Sequence, residues 1–236
     1  MKMNKIVGPQ DWTAARVALL EREKTLQRER DALAEARRAL PWMRIDTEYV
    51  FDTEDGPRTL AELFDGREQL VVWHFMFGAD WQEGCPSCSF WADHYAPAVV
   101  HLAARGVSLV AVSTAPLERL QAYRRRMGWD FRWVSAGDNG FNRDFAVTFG
   151  PEEVEAKARA YNFGTQPAFA SEMPGMSVFA LGDDAAVYRT YSTYSRWLDP
   201  LNPTYQHLDL VPKGRDEDDL DYSMAWLRQH DRYEPA

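Results

Sequence analysis

The feature that most constrains the fold is an apolar run followed closely by two cysteines. Residues 70–77 are rich in β-branched and aromatic side chains and have the length of a buried strand. The residues from Phe90 onward are typical of a helix. The motif Cys85-Pro86-Ser87-Cys88 therefore lies where a buried strand gives way to a helix.

The position of the cysteines favours thiol redox chemistry. A thiolate is the nucleophile in such reactions, and the unpaired backbone N–H groups at a helix N-terminus stabilise negative charge. Pro86 suits the first helical position, and two intervening residues place Cys88 about one turn further on, within disulfide reach of Cys85. The pattern predicts that Cys85 attacks and that Cys88 resolves the mixed disulfide.

Three other interpretations of the pair stay open: a structural disulfide, half of a zinc site, or two inert thiols. A lone Cys-x-x-Cys beside a βα unit in a cytosolic protein favours the redox interpretation. A zinc site needs two more ligands, and the sequence has no second Cys-x-x-Cys or His-x-x-x-His, although Asp93, His94 and His101 follow the cysteines. No metal or other cofactor is predicted.

Composition and charge limit the class of protein. The chain has 236 residues, of which 45% are hydrophobic, enough for one well-packed domain with an extension. The net charge of -9 argues against nucleic-acid or anionic-membrane partners. The sequence shows neither a secretory signal pattern nor a run of 18 apolar residues, which predicts a cytoplasmic location. A disulfide there is a transient catalytic state.

Residues 11–40 contain no Gly or Pro and predict one long helix. Its main apolar residues recur at every seventh position: Trp12, Leu19, Leu26, Leu33 and Leu40. Such a narrow stripe suits either a helix that lies across its own domain or an arm that grips a second subunit. The sequence therefore predicts a helical arm over residues 1–48, a separate domain over residues 49–236, and possible homodimerisation through the arm.

The remaining pattern predicts parallel strands followed by an antiparallel hairpin. Strands are predicted at 49–51, 70–77, 107–112 and 131–134, and the hairpin at 176–181 and 186–191. Helices are predicted after the cysteines, at 116–127 and at 219–229, with a helical turn at 59–64. This order suits an α/β fold of the thioredoxin type.

Several motifs together resemble a bacterial thioredoxin-like family known as domain of unknown function 899. They are residues 84–93, 110–113, 115–117, 126–129, 191–194 and 208–215. The resemblance covers the full chain. It implies a thioredoxin-like fold, with a mixed central sheet flanked by helices and an N-terminal helical extension, and dithiol chemistry at Cys85 and Cys88. The family implies no settled substrate.

The chain departs from thioredoxin proper in three places. Pro86 and Ser87 replace the usual Gly-Pro between the cysteines. Met176 takes the register of the thioredoxin cis-proline, with Pro174 two residues earlier. The loop before Cys85 is longer, and Cys85-Pro86 is similar to a peroxiredoxin.

A peroxiredoxin, however, has Pro and Thr at two positions where this chain has Gly78 and Gln82. Peroxidase activity therefore stays an alternative with less support.

Further side chains are predicted to form the substrate and thiolate environment. They are Asp80, Trp81, Pro86, Pro174, Met176, Tyr191 and Tyr194. Asp80, Trp81 and Glu83 precede the cysteines and could line the approach or accept a proton, whereas simple solvation is the alternative for the acids. For the tyrosines the alternative is core packing, and His74 is predicted to be a hydrogen-bonded core imidazole.

The sequence thus predicts a thiol–disulfide oxidoreductase. Its substrate would be a protein or small-molecule disulfide or a peroxide, and an unidentified reductant would restore the dithiol. The alternatives are a thiol peroxidase and a non-enzymatic ligand- or partner-binding protein on the same fold. The chain has no Gly-rich dinucleotide fingerprint, so electrons from a nicotinamide would have to arrive through another protein.

Overall fold

The computed structural model describes residues 3–234 and divides into two compact units after Pro41. The first unit contains helix α1 (Pro9–Arg38), which has Pro at its start and Arg37 and Arg38 in its last turn, where positive charge is favourable. No side chain of α1 is buried, and its seven-residue stripe is exposed. The predicted domain boundary at residue 48 stays a prediction.

The second unit is built on short and long strands that alternate with helices. In chain order the strands are β1 (Met43–Arg44), β2 (Val50–Phe51), β3 (Arg58–Thr59), β4 (Gln69–His74), β5 (Val107–Ser113), β6 (Arg132–Ser135), β7 (Gly175–Leu181) and β8 (Val187–Tyr194). The helices are α2 (Pro86–Ala92), α3 (Val99–Ala103), α4 (Leu117–Arg126), α5 (Phe141–Asp144), α6 (Pro151–Glu155) and α7 (Pro203–Leu208). Short 3-10 helices cover Glu62–Phe64, Ala96–Ala98, Ser195–Leu201 and His230–Arg232.

Six of these strands form one mixed sheet in the order β1-β8-β7-β4-β5-β6, while β2 and β3 form a separate small hairpin. Strand β4 pairs in parallel with β5, and β5 with β6, as the sequence predicts. On its other side β4 pairs antiparallel with β7, which continues into β8. This arrangement confirms the predicted thioredoxin-like fold and places the cysteine helix directly after the central strand.

The core lies on both faces of the sheet because successive side chains of a strand point to opposite faces. Leu70 and Val72 of β4 pack in one cluster with Phe64 and Phe141. Trp73 packs in a second cluster that contains Cys88 and other residues of α2 and α4. The cysteine motif is therefore part of one of the two main cores.

The helix predicted over residues 219–229 is wrong, because this segment forms a series of turns. The Glu217 carboxylate accepts hydrogen bonds from the Met224 backbone N–H at 3.2 Å and from Trp226 Nε1 at 2.7 Å. Met224 also has a φ of 73°, which lies in the left-handed region and interrupts a right-handed helix. A side-chain acceptor has thus replaced the helical backbone partner.

Among residues 3–234, no helix combines the length and the apolar character that crossing a membrane requires.

Candidate active site at the cysteine pair

The backbone of Met76 holds both ends of the cysteine motif. The Cys85 N–H donates to the Met76 carbonyl oxygen at 3.1 Å, and the Met76 N–H donates to Cys88 Sγ at 3.4 Å. Strand β4 therefore ends at His74 instead of continuing through the predicted residues 70–77. The backbone beyond it anchors the motif at the end of the sheet.

Cys85 caps helix α2, whose first turn closes through a 3.0 Å bond from the Ser89 N–H to the Cys85 carbonyl oxygen. The Ser89 hydroxyl donates to the same oxygen at 2.9 Å and lies 3.0 Å from the Tyr123 hydroxyl. Gly84 is buried, and a Cβ there would lie 2.7 Å from the Phe75 ring. The approach to the motif is thus fixed by close aromatic packing that requires Gly84.

The two thiols have different environments. Cys85 is half-buried, whereas Cys88 is only 2% exposed. The hydrogen bond from the Cys88 thiol, followed by bonds from the backbone N–H groups of Cys88 and Ser87, lowers the pKa of Cys85 to about 7 against the effect of burial. Burial, followed by the hydrogen bond to Cys85 and its charge, raises the pKa of Cys88 well above its usual value.

This asymmetry makes the two thiols chemically different. With a pKa of about 7, a large fraction of Cys85 is thiolate at neutral pH, and the thiolate is the reactive form. Cys88 stays protonated and donates its proton to the Cys85 sulfur. The arrangement can support nucleophilic attack by Cys85 followed by attack of Cys88 on the same sulfur.

Both cysteines line a cavity of about 1190 Å³. Much of one wall is aromatic and comprises Trp73, Trp91, Tyr161, Phe169 and Tyr205. Another wall comes from residues 213–219 and carries both signs of charge. A cavity of this size is large enough for an organic molecule or a short peptide segment.

The structure brings some of the predicted site residues to the cavity. Pro86 and Pro174 line it together with the cysteines, and the Pro174 carbonyl oxygen accepts a 2.5 Å hydrogen bond from the Tyr161 hydroxyl. Met176 is buried in the same core cluster as Cys88 without lining the cavity. The predicted contributions of these residues to the chemistry stay predictions.

The other predicted residues lie outside the cavity lining. Asp80 is exposed, and Trp81 is half-buried with its ring against Gly78. Tyr194 is buried, and its hydroxyl donates to the Phe145 carbonyl oxygen at 3.0 Å, while Tyr191 is half-buried on β8. None of these four side chains lines the cavity, so their predicted contact with substrate stays a prediction.

Glu83 is held by cations of other segments. Its Oε1 atom accepts a 2.9 Å bond from Arg126, and it also pairs with Arg232. Arg126 binds Asp231 at 2.7 Å as well. These ion pairs fix the C-terminal turn against the residues just before the cysteines, so Glu83 anchors that turn.

His74 is buried on the face of the sheet that carries Leu70 and Val72, opposite to Trp73, and its Nε2 lies 2.9 Å from Ser177 Oγ. Burial lowers the pKa of His74 to about 3, so the imidazole is neutral at physiological pH. The rings of Phe141 and Phe145 stack on the imidazole. The imidazole is a core group that does not line the cavity.

Sequence reasoning missed a charged and aromatic cluster in the lining of the cavity. Arg215 binds Asp199 at 2.6 Å and Asp209 at 2.8 Å, and its guanidinium lies 4.0 Å from the Tyr205 ring centroid. The pairing of Asp199 with Arg215 joins the 3-10 helix Ser195–Leu201 to a later turn, and no local sequence pattern connects the two. The only sequence signal was that residues 208–215 belong to the motifs that carry the family resemblance.

Within residues 3–234, no three His, Cys, Asp or Glu side chains are grouped so that they could hold a metal ion. Of the candidates near the cysteines, Asp93 accepts hydrogen bonds from Trp129 at 2.8 Å and from His230 at 2.7 Å. His94 lies 2.9 Å from the Thr204 hydroxyl. These two side chains support the packing around α2.

The sequence profile of a bacterial protein family of unknown function, DUF899, matches residues 1–233. The chain belongs to this family. The match includes α1 as well as the thioredoxin-like unit, and it confirms the resemblance stated from the motifs. The sequence matches none of the curated proteins with which it was compared.

Solved structures similar to this chain include two peroxiredoxin-type proteins. Peroxidoxin BcpB from Mycobacterium tuberculosis is 17% identical with a TM-score of 0.45, and the alignment covers 66% of this chain and 86% of that one. Peroxiredoxin Q from Xanthomonas campestris is 15% identical with a TM-score of 0.45, covering 72% and 98%. A hypothetical protein from Sinorhizobium meliloti is 14% identical with a TM-score of 0.40, covering 63% and 69%.

Proposed function

We propose that this protein is a thiol–disulfide oxidoreductase in which Cys85 is the nucleophile and Cys88 is the resolving thiol. The observation that carries the proposal is the unequal placement of two neighbouring thiols at one cavity, where Cys85 is half-buried at the N-cap of α2 and Cys88 is 2% exposed. The pKa of Cys85 falls to about 7, while the pKa of the buried Cys88 rises. An inert pair or a structural disulfide needs neither an activated thiolate nor a cavity beside it.

The reaction has two steps. In the first, the Cys85 thiolate attacks one sulfur of a disulfide R–S–S–R, a bond forms between Cys85 Sγ and that sulfur, and R–S⁻ leaves and takes a proton from solvent. In the second, Cys88 loses its proton and attacks Cys85 Sγ, and the second R–S⁻ leaves. The substrate gains two electrons and two protons, and Cys85 and Cys88 become a disulfide. An external reductant then restores the dithiol.

The cavity supports an organic substrate. Its volume of about 1190 Å³ and its aromatic wall suit a small-molecule disulfide or a segment of a protein disulfide better than they suit hydrogen peroxide alone. The reductant is a partner of unknown identity. The scheme also assumes a reducing compartment, in agreement with the cytoplasmic location predicted from the sequence.

A thiol peroxidase is the second candidate, because the same activated Cys85 could attack a peroxide oxygen. Cys85 would become a sulfenic acid, and Cys88 would then displace water to give the same disulfide. Gly78 and Gln82 occupy the positions at which a peroxiredoxin would have Pro and Thr. A protein that only binds a ligand or partner is the third candidate and requires no change at either cysteine.

One experiment separates these three candidates. The fully reduced protein is mixed with hydroxyethyl disulfide or with hydrogen peroxide, and intact and peptide mass spectrometry follow the loss of two hydrogens at Cys85 and Cys88. The proposal predicts a Cys85–Cys88 disulfide with the organic disulfide at a rate well above that of a free thiol. Faster oxidation by peroxide supports the peroxidase, and two unreactive thiols would contradict both enzymes.

The exposed stripe of α1 supports the proposed homodimer. Its side chains Trp12, Leu19, Leu26 and Leu33 are 46% to 60% exposed and repeat at the seven-residue interval of helix pairing. Light scattering on the full-length protein is expected to give twice the chain mass of 27.1 kDa. Replacing Leu19, Leu26 and Leu33 with glutamate should return the mass to 27.1 kDa, whereas a monomeric unsubstituted protein would remove the proposal.

A further inference from the structure

The cavity beside the cysteine pair carries more negative than positive charge. Among the described residues, three cationic and five carboxylate side chains line it, an excess of two negative charges. The chain as a whole has a net charge of -9, so the field of the protein adds to that of the cavity. The carboxylates of the lining belong to Asp199, Asp216, Glu217, Asp218 and Asp219.

The three cations of the lining are paired with carboxylates of the same lining. Arg215 binds Asp199 at 2.6 Å, and Arg196 lies 3.9 Å from the same carboxylate. Lys213 binds Asp216 at 2.5 Å. The positive charges of the cavity are therefore already neutralised, which makes it a poor site for a negatively charged substrate.

The other three carboxylates of the lining have no cation beside them. Within residues 3–234, Glu217, Asp218 and Asp219 form no ion pair. Glu217 accepts hydrogen bonds from neutral donors, the Tyr205 hydroxyl at 2.9 Å and Trp226 Nε1 at 2.7 Å. Asp218 and Asp219 are exposed and line the cavity. The uncompensated negative charge of the cavity therefore lies in this one segment.

The aromatic side chains of the lining also favour a cation. The face of an aromatic ring carries negative potential and attracts ammonium and guanidinium groups. One such contact is present in the cavity, because the Arg215 guanidinium lies 4.0 Å from the Tyr205 ring centroid. Phe169 and Tyr222 line the same cavity and are 73% and 67% exposed, so a bound molecule can reach their rings. Carboxylates and aromatic faces together are the groups that recognise an amine.

A buried donor in the lining lacks a partner. Trp73 is 1% exposed and lines the cavity, and among the residues that the structure describes its Nε1 atom has no hydrogen-bond acceptor. A buried N–H group without an acceptor costs free energy, and an acceptor atom of a bound molecule would recover that cost. This observation is independent of the charges and points to a ligand beside the thiols.

We propose that the substrate of the cysteine pair is an organic disulfide that carries positive charge close to its sulfur atoms. This inference rests on the proposed function and names its substrate class. Cystamine, the disulfide of cysteamine, is a simple example. It takes up two electrons and two protons and leaves as two molecules of cysteamine, while Cys85 and Cys88 become a disulfide. Its ammonium groups bind Asp218 and Asp219, whereas these carboxylates repel an acidic disulfide.

Three disulfides of similar size test the proposal: cystamine is a dication at neutral pH, hydroxyethyl disulfide is neutral, and dithiodiglycolate is a dianion. The rate at which each oxidises the reduced protein is divided by its rate with mercaptoethanol, a neutral free thiol, to remove differences in leaving group. At low ionic strength we expect cystamine to exceed hydroxyethyl disulfide by about tenfold and dithiodiglycolate to fall about tenfold below it. Added salt should shrink both ratios. Equal normalised rates, or a preference for the dianion, would overturn the proposal.

A pair of double variants shows whether the preference comes from the cavity. Asp218→Asn with Asp219→Asn removes two charges at nearly constant size, and both positions are exposed, so the fold should be kept. The ratio of cystamine to hydroxyethyl disulfide should fall by about fivefold. Asp130→Asn with Asp138→Asn removes the same charge from exposed positions outside the lining and should hold that ratio within about twofold. An equal fall in both double variants would overturn the assignment to the cavity.

Binding of unreactive analogues separates this inference from the proposed function. Hexamethylenediamine, hexanediol and adipate have methylene groups in place of the two sulfurs of the three disulfides. Titration calorimetry on the reduced protein should show binding of the diamine, weaker binding in Asp218→Asn with Asp219→Asn, and no binding of adipate. Oxidation by all three disulfides at equal normalised rates, with no binding of the diamine, would overturn this inference alone. Failure of every disulfide to oxidise the cysteines would instead overturn the proposed function, even where the diamine binds.

Discussion

Replacing Cys85 with serine is expected to reduce turnover of a disulfide substrate by at least about 1000-fold, as happens when the nucleophile of a covalent mechanism is removed. A serine hydroxyl stays protonated at neutral pH even with the donors that lower the pKa of Cys85 to about 7. The measurement is steady-state reduction of hydroxyethyl disulfide with a chemical reductant in excess.

The loss of turnover in Cys85→Ser has to come from chemistry and not from unfolding. Serine has nearly the size of cysteine, and Cys85 is half-buried, so the thermal unfolding midpoint should change little. Turnover by Cys85→Ser within about tenfold of the unsubstituted protein would contradict the assignment of the nucleophile.

Replacing Cys88 with serine is expected to stop the reaction after its first step. Each molecule should release one equivalent of R–SH and keep the other half of the substrate on Cys85, because no thiol remains to displace it. A serine hydroxyl at position 88 can still donate to the Cys85 sulfur, so attack at neutral pH should stay fast. Intact mass spectrometry should show one covalent adduct, and peptide mapping should locate it on Cys85.

Cys88→Ala is the matched variant. It removes the donor that contributes most to the low pKa of Cys85, so the same adduct should form more slowly at neutral pH and its pH midpoint should move upward. A Cys88→Ser protein that keeps full catalytic turnover with no adduct would contradict the role of Cys88 as the resolving thiol.

The central sheet could be predicted because its information is local. Leu70 and Val72 place apolar side chains on one face of β4, and Trp73 places one on the other face. Similar apolar runs predict β5, β7 and β8. The cysteine motif was found because Cys85, Pro86 and Cys88 stand together at a strand-to-helix junction. Spacing alone is enough to predict which thiol caps the helix.

The structural features that could not be predicted depend on partners that are distant in the sequence. The helix predicted over 219–229 does not form because Glu217 captures the Met224 N–H and the Trp226 indole. No sequence pattern indicated that Glu172 is buried, since the hydroxyls that bind its carboxylate, those of Thr114 and Thr148, come from other segments. Tertiary hydrogen bonds of this kind override local propensity and are invisible in a single sequence.

The pH dependence of alkylation shows whether Cys85 is an activated thiolate. The fully reduced protein is treated with iodoacetamide over a range of pH, and peptide mass spectrometry assigns the label. Because only the thiolate reacts, the labelling rate rises with pH through the pKa of the thiol. We expect preferential labelling of Cys85 with a midpoint of about 7 and little labelling of Cys88 at that pH. Slow labelling of Cys85 with a midpoint at the free-thiol value of about 8.5 or above would contradict it.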